Sequence, residues 1–351
     1  GKTNKTGIKF KNNKLVWNGL EIDIVVNKND EYAKTSLLNK VKYCRIVRKF
    51  IRGKYKYYLQ LILEGTPPIK YDKETGEIKN GIGNGRVGID IGTQTVAYSS
   101  KYDVKLLELA PEIDNIDKEK QILQRKLDRQ RRSNNPNKYN EDGTIKRSNK
   151  DKWRKSNRYI KTQNKLREIQ RKQADIRKES HNKLANRIVS LGNEVYVETM
   201  NYKGLQKRSS ETTINKKTGK FNKKKRFGKS LANKAPSMFL TILDNKLKWH
   251  GKNLLKIDTF KIKASQYNHI KNEYIKKDLS ERWNVFNIGN KEVKIQRDLY
   301  SAFIIMCTED NLKETNRRLC NKEFKNFKKL HNIEIIRIKN SNNRLISSMG
   351  M

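Results

Sequence analysis

The sequence predicts a mixed α/β protein with a strand-rich module at its front. Three observations lead to this prediction: a period-2 pattern before residue 66, short apolar strands after residue 86, and a long helical segment from about 111 to 191. Apolar strands separated along one chain by helical segments are typical of a sheet covered by helices.

The front module, residues 1–66, is predicted to be antiparallel. After a turn at Arg52-Gly53-Lys54 the chain alternates with period 2: Tyr55, Tyr57, Leu59, Leu61 and Leu63 alternate with Lys56, Tyr58, Gln60 and Ile62. Such alternation is typical of a strand, and we expect a small antiparallel module with a basic outer face. Residues 67–85 are rich in Gly and Pro and read as a linker.

Residues 86–110 are predicted to hold three strands. Val87–Ile91 is the first, the turn around Gly92 leads into Val96–Ser99, and Val104–Leu109 is the third. Asp90 interrupts the first of these apolar strands. Burying an unpaired carboxylate costs several kcal/mol, so its presence there calls for a compensating partner such as a cation.

Residues 111–191 are predicted to form an antiparallel pair of basic helices, joined by turn residues around Pro136 and Gly143. A charged helix face in water is the ordinary explanation for such residues, but here positive charge far exceeds negative charge, which favours contact with phosphate. The arginines that we expect to contact nucleic acid in this segment are Arg125, Arg129, Arg131, Arg132, Arg154, Arg158 and Arg171.

The chain after residue 192 returns to strands and helices. Glu194–Thr199 and Leu254–Thr259 are predicted strands, and Lys234–His250 is a predicted amphipathic helix. Asp298 opens another helix, and the tail from 311 to 351 is expected to be helical and then strand-like at Ile333–Ile338. Within 209–230 a basic loop offers further phosphate contacts, at Lys223, Lys224, Lys225 and Arg226.

The charge of the chain points to a polyanionic partner. It has 80 Lys and Arg against 37 Asp and Glu, a formal net charge of +43. Self-repulsion on this scale destabilises a compact state unless a polyanion neutralises it, and nucleic acid is the natural polyanion. A membrane-surface protein or a disordered basic tail fits less well, because aromatic residues are spread along the chain and no apolar run nears the roughly 20 residues needed to span a bilayer.

The three cysteines, Cys44, Cys307 and Cys320, are far apart and odd in number. This pattern favours reduced thiols over a disulfide framework, so we expect a cytoplasmic protein, and the abundance of Lys, Asn and Ile suggests a bacterial genome of low GC content. A zinc site with four cysteine ligands is excluded within this chain.

Asp90, Glu198 and Asp298 are the candidate metal ligands. Each is a weak signal alone, since isolated acids at turns, strand ends and helix starts usually face water. Together, on two strands and a helix of a strongly basic chain, they suit a site for two Mg²⁺ ions that hydrolyses phosphodiesters. Arg297, which precedes the third acid, is a further candidate for contact with nucleic acid, and so is Gln296.

Three segments resemble the motifs of a known family. They are Gly88–Gly92, Val197–Leu205 and Gln296–Ala302, which are similar to the three parts of the split RuvC nuclease domain in the TnpB family of transposon-encoded RNA-guided DNA endonucleases, relatives of type V CRISPR effectors. The resemblance implies an RNase H-like fold, two Mg²⁺ ions at Asp90, Glu198 and Asp298, a guide RNA, a DNA target, and a wedge-like β-barrel for residues 1–66.

Within that resemblance, 86–110, 192–262 and 291–310 correspond to the three nuclease parts. Residues 263–290 stand where the family carries a zinc ribbon, but they contain no cysteine, so we expect no zinc and structural or nucleic-acid-facing roles for His250 and His269. The family's helical recognition region in the barrel has no counterpart in residues 1–66, so recognition of the flanking motif is expected either to be absent or to be supplied by a preceding region or a second subunit.

Three alternatives remain open on the sequence. An RNA-guided DNA-binding protein that no longer cuts would be expected to lose one of the three acids. A DDE transposase or resolvase would share the RNase H-like fold and the cations, but bind DNA ends without RNA. A plain basic RNA-binding protein would need neither cations nor the three acids.

Overall fold

The structure is a computed structural model and describes residues 7–350 except 28, 73, 208–212, 215–217, 220–226, 279 and 342–348. The chain divides into two compact units. The first contains residues up to Lys79 together with Asp114–Asp175, and the second contains Asn80–Ile113 and everything from Ile176 onward. None of the helices in these described ranges is both long and apolar enough to cross a membrane.

The front of the first unit consists of two separate antiparallel sheets and one short helix. The elements are β1 Lys9–Lys11, β2 Lys14–Trp17, β3 Leu20–Asp23, α1 Glu31–Leu37, β4 Val41–Ile51 and β5 Lys54–Leu63. β1, β2 and β3 form one sheet, and among the described strands β4 pairs only with β5. The turn predicted at Arg52–Gly53 is confirmed, with φ of 50° and 81°, as a two-residue hairpin requires. The described residues close no barrel.

The rest of the first unit is a pair of long helices, α2 Asp114–Asn134 and α3 Asn157–Leu191, of which α3 continues into the second unit beyond Asp175. Asn134 donates to the Ser156 hydroxyl at 3.0 Å, and Lys120 donates to Gln173 at 3.3 Å. The end of α2 therefore meets the start of α3, and the start of α2 meets the middle of α3, so the predicted antiparallel pair is confirmed.

The second unit is built on a mixed sheet of five strands in the order β10-β9-β6-β7-β8. The strands are β6 Arg86–Ile91, β7 Thr95–Ser100, β8 Val104–Glu108, β9 Glu194–Glu198 and β10 Leu254–Ile257. β6, β9 and β10 run parallel, whereas β7 is antiparallel to both of its neighbours. These strands match the predicted ones to within one or two residues.

Helices and two small hairpins complete this unit. They are α4 Tyr202–Gln206, α5 Gly228–Lys234, α6 Pro236–Trp249, α7 Thr259–Ile262, β11 Tyr267–Asn268, β12 Glu273–Tyr274, β13 Trp283–Ile288, β14 Lys291–Gln296, α8 Arg297–Met306 and α9 Arg317–Lys339. The predicted helix from Lys234 begins at Pro236 instead, because Ala235 takes a left-handed φ of 45° that separates it from α5.

Near the end of the chain the structure differs from the sequence prediction in two places. The hairpin of β13 and β14 was not foreseen, although Gly289 and Asn290 form its two-residue loop. The strand expected at Ile333–Ile338 is wrong, because this segment is the last part of α9. His331, Glu334, Ile335 and Ile338 are buried at the spacing of one helix face, and this tertiary packing outweighs the strand propensity of the isoleucines.

The sheet is covered on both faces. One core contains Val87, Ile89 and Ile91 of β6 together with apolar residues of α3 and α6. The other contains Ala97, Leu106 and Tyr196 together with the apolar residues of α8 and α9. Burial on both faces explains why the strands read as nearly continuous apolar runs.

Candidate active site

Strand alternation places two of the three candidate acids on the face that α8 covers. Val87, Ile89 and Ile91 point into the core on the other side, so Gly88 and Asp90 face α8. In β9, Val195 and Val197 belong to that same opposite core, and Tyr196 and Glu198 therefore also face α8. Since β6 and β9 are parallel neighbours, Asp90 and Glu198 meet at the same end of the sheet.

A close contact between β6 and α8 places the third acid. Gly88 allows the helix backbone to lie directly on the strand, because a Cβ at this position would be 2.1 Å from the Ala302 carbonyl oxygen and 2.2 Å from the Met306 nitrogen. Asp90 lies two residues further along the strand, about 7 Å away, and Asp298 lies four residues back along the helix, about 6 Å away. This geometry brings Asp298 next to Asp90.

The start of α8 is fixed by buried polar contacts. Gln296 is fully buried and its side chain accepts a hydrogen bond from the Leu299 nitrogen at 2.8 Å, which caps the helix. Its own backbone nitrogen donates to Nε2 of His331 in α9 at 3.0 Å. Gln296 is thus a structural cap, and the expectation that it touches a nucleic-acid strand is wrong.

The electrostatics of Asp90 agree with this placement of the three carboxylates. Burial raises the pKa of Asp90 well above its ordinary value, and the charges of Asp298 and Glu198 raise it further. Arg297 and the Ser301 hydroxyl act in the opposite direction and lower this pKa. The three acids predicted from the sequence therefore lie at the same end of the sheet. Burial and the two neighbouring carboxylates disfavour the ionised form of Asp90.

The other two acids differ in their surroundings. Burial raises the pKa of Glu198, and within the described residues its carboxylate has no hydrogen bond and no ion pair. Asp298 is at the start of α8 with one carboxylate oxygen 3.5 Å from Nε of Arg297. Among the described residues, Glu198 thus has no compensating partner, and Asp298 has an adjacent guanidinium.

This set of ligands suits hard divalent cations. All three groups are carboxylates, and Mg²⁺ prefers oxygen ligands, keeps several waters and takes only one or two carboxylates per ion. Among the described residues, no three His, Cys, Asp or Glu side chains are close enough to hold a single ion together. A cation held by two of the three carboxylates would relieve the repulsion that raises the pKa of Asp90.

Arg297 is already engaged by the protein. Its side chain is mostly buried, and Nη1 donates to the Glu281 carbonyl oxygen at 3.0 Å. Its contact with nucleic acid stays a prediction.

The predicted arginines of the helical pair fall into two groups. Arg131 and Arg132 pair with Asp128, and Arg171 pairs with Glu168 and Asp175 at 2.6 Å each. The side chains of the second group are exposed and have no ion pair within the described ranges: Arg125, Arg129, Arg154 and Arg158. Lys223, Lys224, Lys225 and Arg226 lie outside the described residues.

The segment expected in place of a zinc ribbon has an aromatic core. His269 is buried, its Nδ1 is 2.7 Å from the Tyr300 hydroxyl, and its ring packs against Phe286, Phe303 and Phe324. Burial lowers the pKa of His269 to about 4, so the ring is neutral at physiological pH. The structural role expected for His269 is confirmed.

Sequence reasoning missed two aromatic residues at the site. Tyr202 begins α4, four residues after Glu198, and its hydroxyl is buried. Phe260 follows β10, whose last residue pairs with Glu198, and 88% of its surface is exposed. Thr259, its neighbour, lies 3.4 Å from Thr199 through the two hydroxyl oxygens. Both aromatic residues follow strands that end at the site. This position after a strand is the sequence signal that could have identified them.

No protein-family model matches this chain, and no match is found among curated proteins.

Proposed function

We propose that this chain is a metal-dependent endonuclease that hydrolyses phosphodiester bonds with two Mg²⁺ ions at Asp90, Glu198 and Asp298. The observation that carries the proposal is the convergence of three carboxylates from β6, β9 and α8, in which two of the acids raise the pKa of the third. Carboxylates brought together against their mutual repulsion are typical of sites that bind cations.

The fold supports the same proposal. The five-stranded order, with one antiparallel strand second from the edge, is the order expected for the RNase H-like fold implied by the resemblance to the TnpB family. On this basis we infer further that the nuclease is guided by RNA to a DNA target. The net charge of +43 supplies the attraction for both nucleic acids.

The residues of the chain have distinct parts in this reaction. Asp90, Glu198 and Asp298 would hold the two Mg²⁺ ions, and these ions, when bound, would supply activation of the attacking water and stabilisation of the leaving oxygen. Asp90 and Glu198 hold their positions through the parallel pairing of β6 and β9, and Asp298 holds its position through the cap at Gln296. Phe260 presents an exposed ring on which a base next to the cleaved bond can stack.

The decisive experiment uses the purified full chain and the RNA that copurifies with it. This RNA is sequenced, and cleavage of a single-stranded DNA complementary to it is followed with Mg²⁺ and with a chelator. We expect cleavage only with Mg²⁺, and none in the Asp90→Ala variant. Asp310→Asn is the matched control, because Asp310 pairs with Arg86 at the opposite end of β6 and its side chain is 88% exposed.

The outcomes separate the alternatives. Defined RNA with no cleavage by the wild type indicates a guided binding protein. Cleavage or strand transfer at particular DNA ends without RNA indicates a transposase or resolvase. An Asp90→Ala variant that still cuts contradicts the assignment of the site.

A further inference from the structure

The Tyr202 hydroxyl has no hydrogen-bond partner among the described residues. It is buried, and no described residue donates to it or accepts from it. Buried polar groups in folded proteins are almost always paired, so an exception calls for an explanation, such as a ligand that completes the pairing. The position of this residue suggests which ligand that is.

Tyr202 is held beside the candidate active site by local structure. Its neighbour Asn201 caps α4 by accepting from the Gly204 nitrogen at 2.9 Å, and this fixes the turn that follows Glu198. Burial and the charge of Asp90 together raise the pKa of Tyr202 to about 12. The phenol, four residues after Glu198, therefore remains protonated and is a hydrogen-bond donor at every physiological pH.

The hydroxyl does not bond to the carboxylates themselves. Although Asp90 is near enough to affect its pKa, no hydrogen bond joins the two side chains. Leaving a buried donor unsatisfied costs free energy that the folded protein recovers only when an acceptor enters. A cluster of carboxylates that attracts cations also attracts, through them, the phosphate oxygens of a nucleic acid.

We propose that Tyr202 is a substrate-positioning residue whose hydroxyl donates a hydrogen bond to a non-bridging oxygen of the phosphate being cleaved. This proposal rests on the proposed nuclease function. The bond would hold the phosphate over the carboxylates and would strengthen as negative charge develops on its oxygens during hydrolysis.

The test is the Tyr202→Phe variant, compared with Tyr196→Phe. Tyr196 lies in β9 and its hydroxyl donates to Glu194 at 3.1 Å, so its removal takes away a hydroxyl with a structural partner. Single-turnover cleavage of the DNA complementary to the copurified RNA is measured at saturating Mg²⁺, together with the affinity for that DNA, the Mg²⁺ concentration at half-maximal rate, and the thermal midpoint of each protein.

We expect Tyr202→Phe to cut roughly 10- to 100-fold more slowly, which corresponds to the loss of one hydrogen bond to a charged group. Its DNA affinity and Mg²⁺ requirement should stay unchanged, and its thermal midpoint should be equal to that of the wild type or higher, because the removed hydroxyl has no partner among the described residues. Tyr196→Phe should cut at the wild-type rate.

Three results would overturn the proposal. If Tyr202→Phe cuts at the rate of the wild type, the hydroxyl does not contribute to cleavage. A change confined to the Mg²⁺ requirement shows that it serves a cation-bound water instead of the phosphate. A clear fall in the thermal midpoint shows a structural role. These results differ from failure of the nuclease proposal itself, in which the wild type does not cut at all.

Discussion

The backbone of Ala302 lies directly against Gly88, at a distance that leaves no room for a side chain. A Cβ on Gly88 would be 2.1 Å from the Ala302 carbonyl oxygen, well inside any normal contact. The same contact sets the position of α8 along β6, and through it the distance between Asp298 and Asp90. One glycine thus links the packing of the sheet to the assembly of the site.

Replacing Gly88 with Ala is therefore expected to impair both stability and cleavage. The clash is with backbone atoms, which cannot move aside as a flexible side chain does, so we expect a loss of about 1–3 kcal/mol in the free energy of unfolding. A shift of α8 by about 1 Å would also lower cleavage by around 100-fold. Denaturant unfolding and single-turnover cleavage measure the two effects.

Gly228→Ala is the control for this variant. Gly228 opens α5 in the same unit, and a Cβ there meets no atom within 4 Å. It should unfold and cut like the wild type. If Gly88→Ala also behaves like the wild type, the contact does not position α8.

Removing the charge of Asp90 should stabilise the protein without divalent cations. Its pKa is raised in the folded state, so its protonated form contributes stability below the unfolded pKa, and this stability is lost as the pH rises through the raised value. The Asp90→Asn variant does not lose this stability, because its amide does not ionise. We expect its thermal midpoint to exceed that of the wild type by a margin that grows as the pH is raised above about 4.

Adding Mg²⁺ should reverse this order. Cations that bind the folded protein raise the thermal midpoint of the wild type, whereas Asp90→Asn should gain little. A wild type that is more stable than Asp90→Asn in the presence of a chelator at neutral pH would show that Asp90 has a stabilising partner in the protein.

The candidate acids were predictable because each one departs from its own local pattern. Asp90 interrupts an apolar strand, Glu198 ends one, and Asp298 opens an apolar helix, so their meeting followed once the strands were known to be parallel neighbours. Tyr202 was not predictable in this way. A tyrosine after a strand is ordinary, and it gains significance because its hydroxyl is buried with no partner in the described part of the chain.

The errors in the fold have a similar physical origin. The segment from Ile333 to Ile338 holds four isoleucines, and β-branched residues favour strands when packing does not decide. Here packing does decide, because buried Glu334 accepts from the Leu106 nitrogen at 2.9 Å and ties α9 to β8. Contacts between residues more than 200 positions apart are not visible in a local pattern.

The two groups of arginines in the helical pair should contribute differently to nucleic-acid binding. Arg154 and Arg158 are exposed and without ion pairs in the described part of the chain, whereas Arg171 is held by two carboxylates. Each phosphate contact that is lost should reduce the slope of log affinity against log salt by about 1. The double variant Arg154→Gln/Arg158→Gln is therefore expected to have a slope that is smaller in magnitude by roughly 2.

Arg171→Gln is the matched control, and we expect its slope to equal that of the wild type. The measurement is the affinity for the copurified RNA across a series of salt concentrations. Equal slopes for the double variant and the wild type would remove Arg154 and Arg158 from the nucleic-acid contacts.

Phe260 should bind a nucleotide base by stacking. Its ring is 88% exposed at the end of the sheet where Asp90 and Glu198 meet, so it contributes almost nothing to the core. Phe260→Ala is expected to weaken binding of single-stranded DNA by about 1–3 kcal/mol, the usual range for one base stacked on an aromatic side chain. The thermal midpoint should not change.

Tyr102→Ala provides the comparison for Phe260. Tyr102 is 61% exposed in the turn between β7 and β8, at the end of the sheet opposite to the carboxylates. DNA affinity measured in Mg²⁺-free buffer should be unaffected by this change, while Phe260→Ala reduces it. If both variants lose affinity equally, general exposure of aromatic rings explains the binding. If neither does, DNA does not stack on Phe260, and the base beside the cleaved phosphate is held by other groups at this edge.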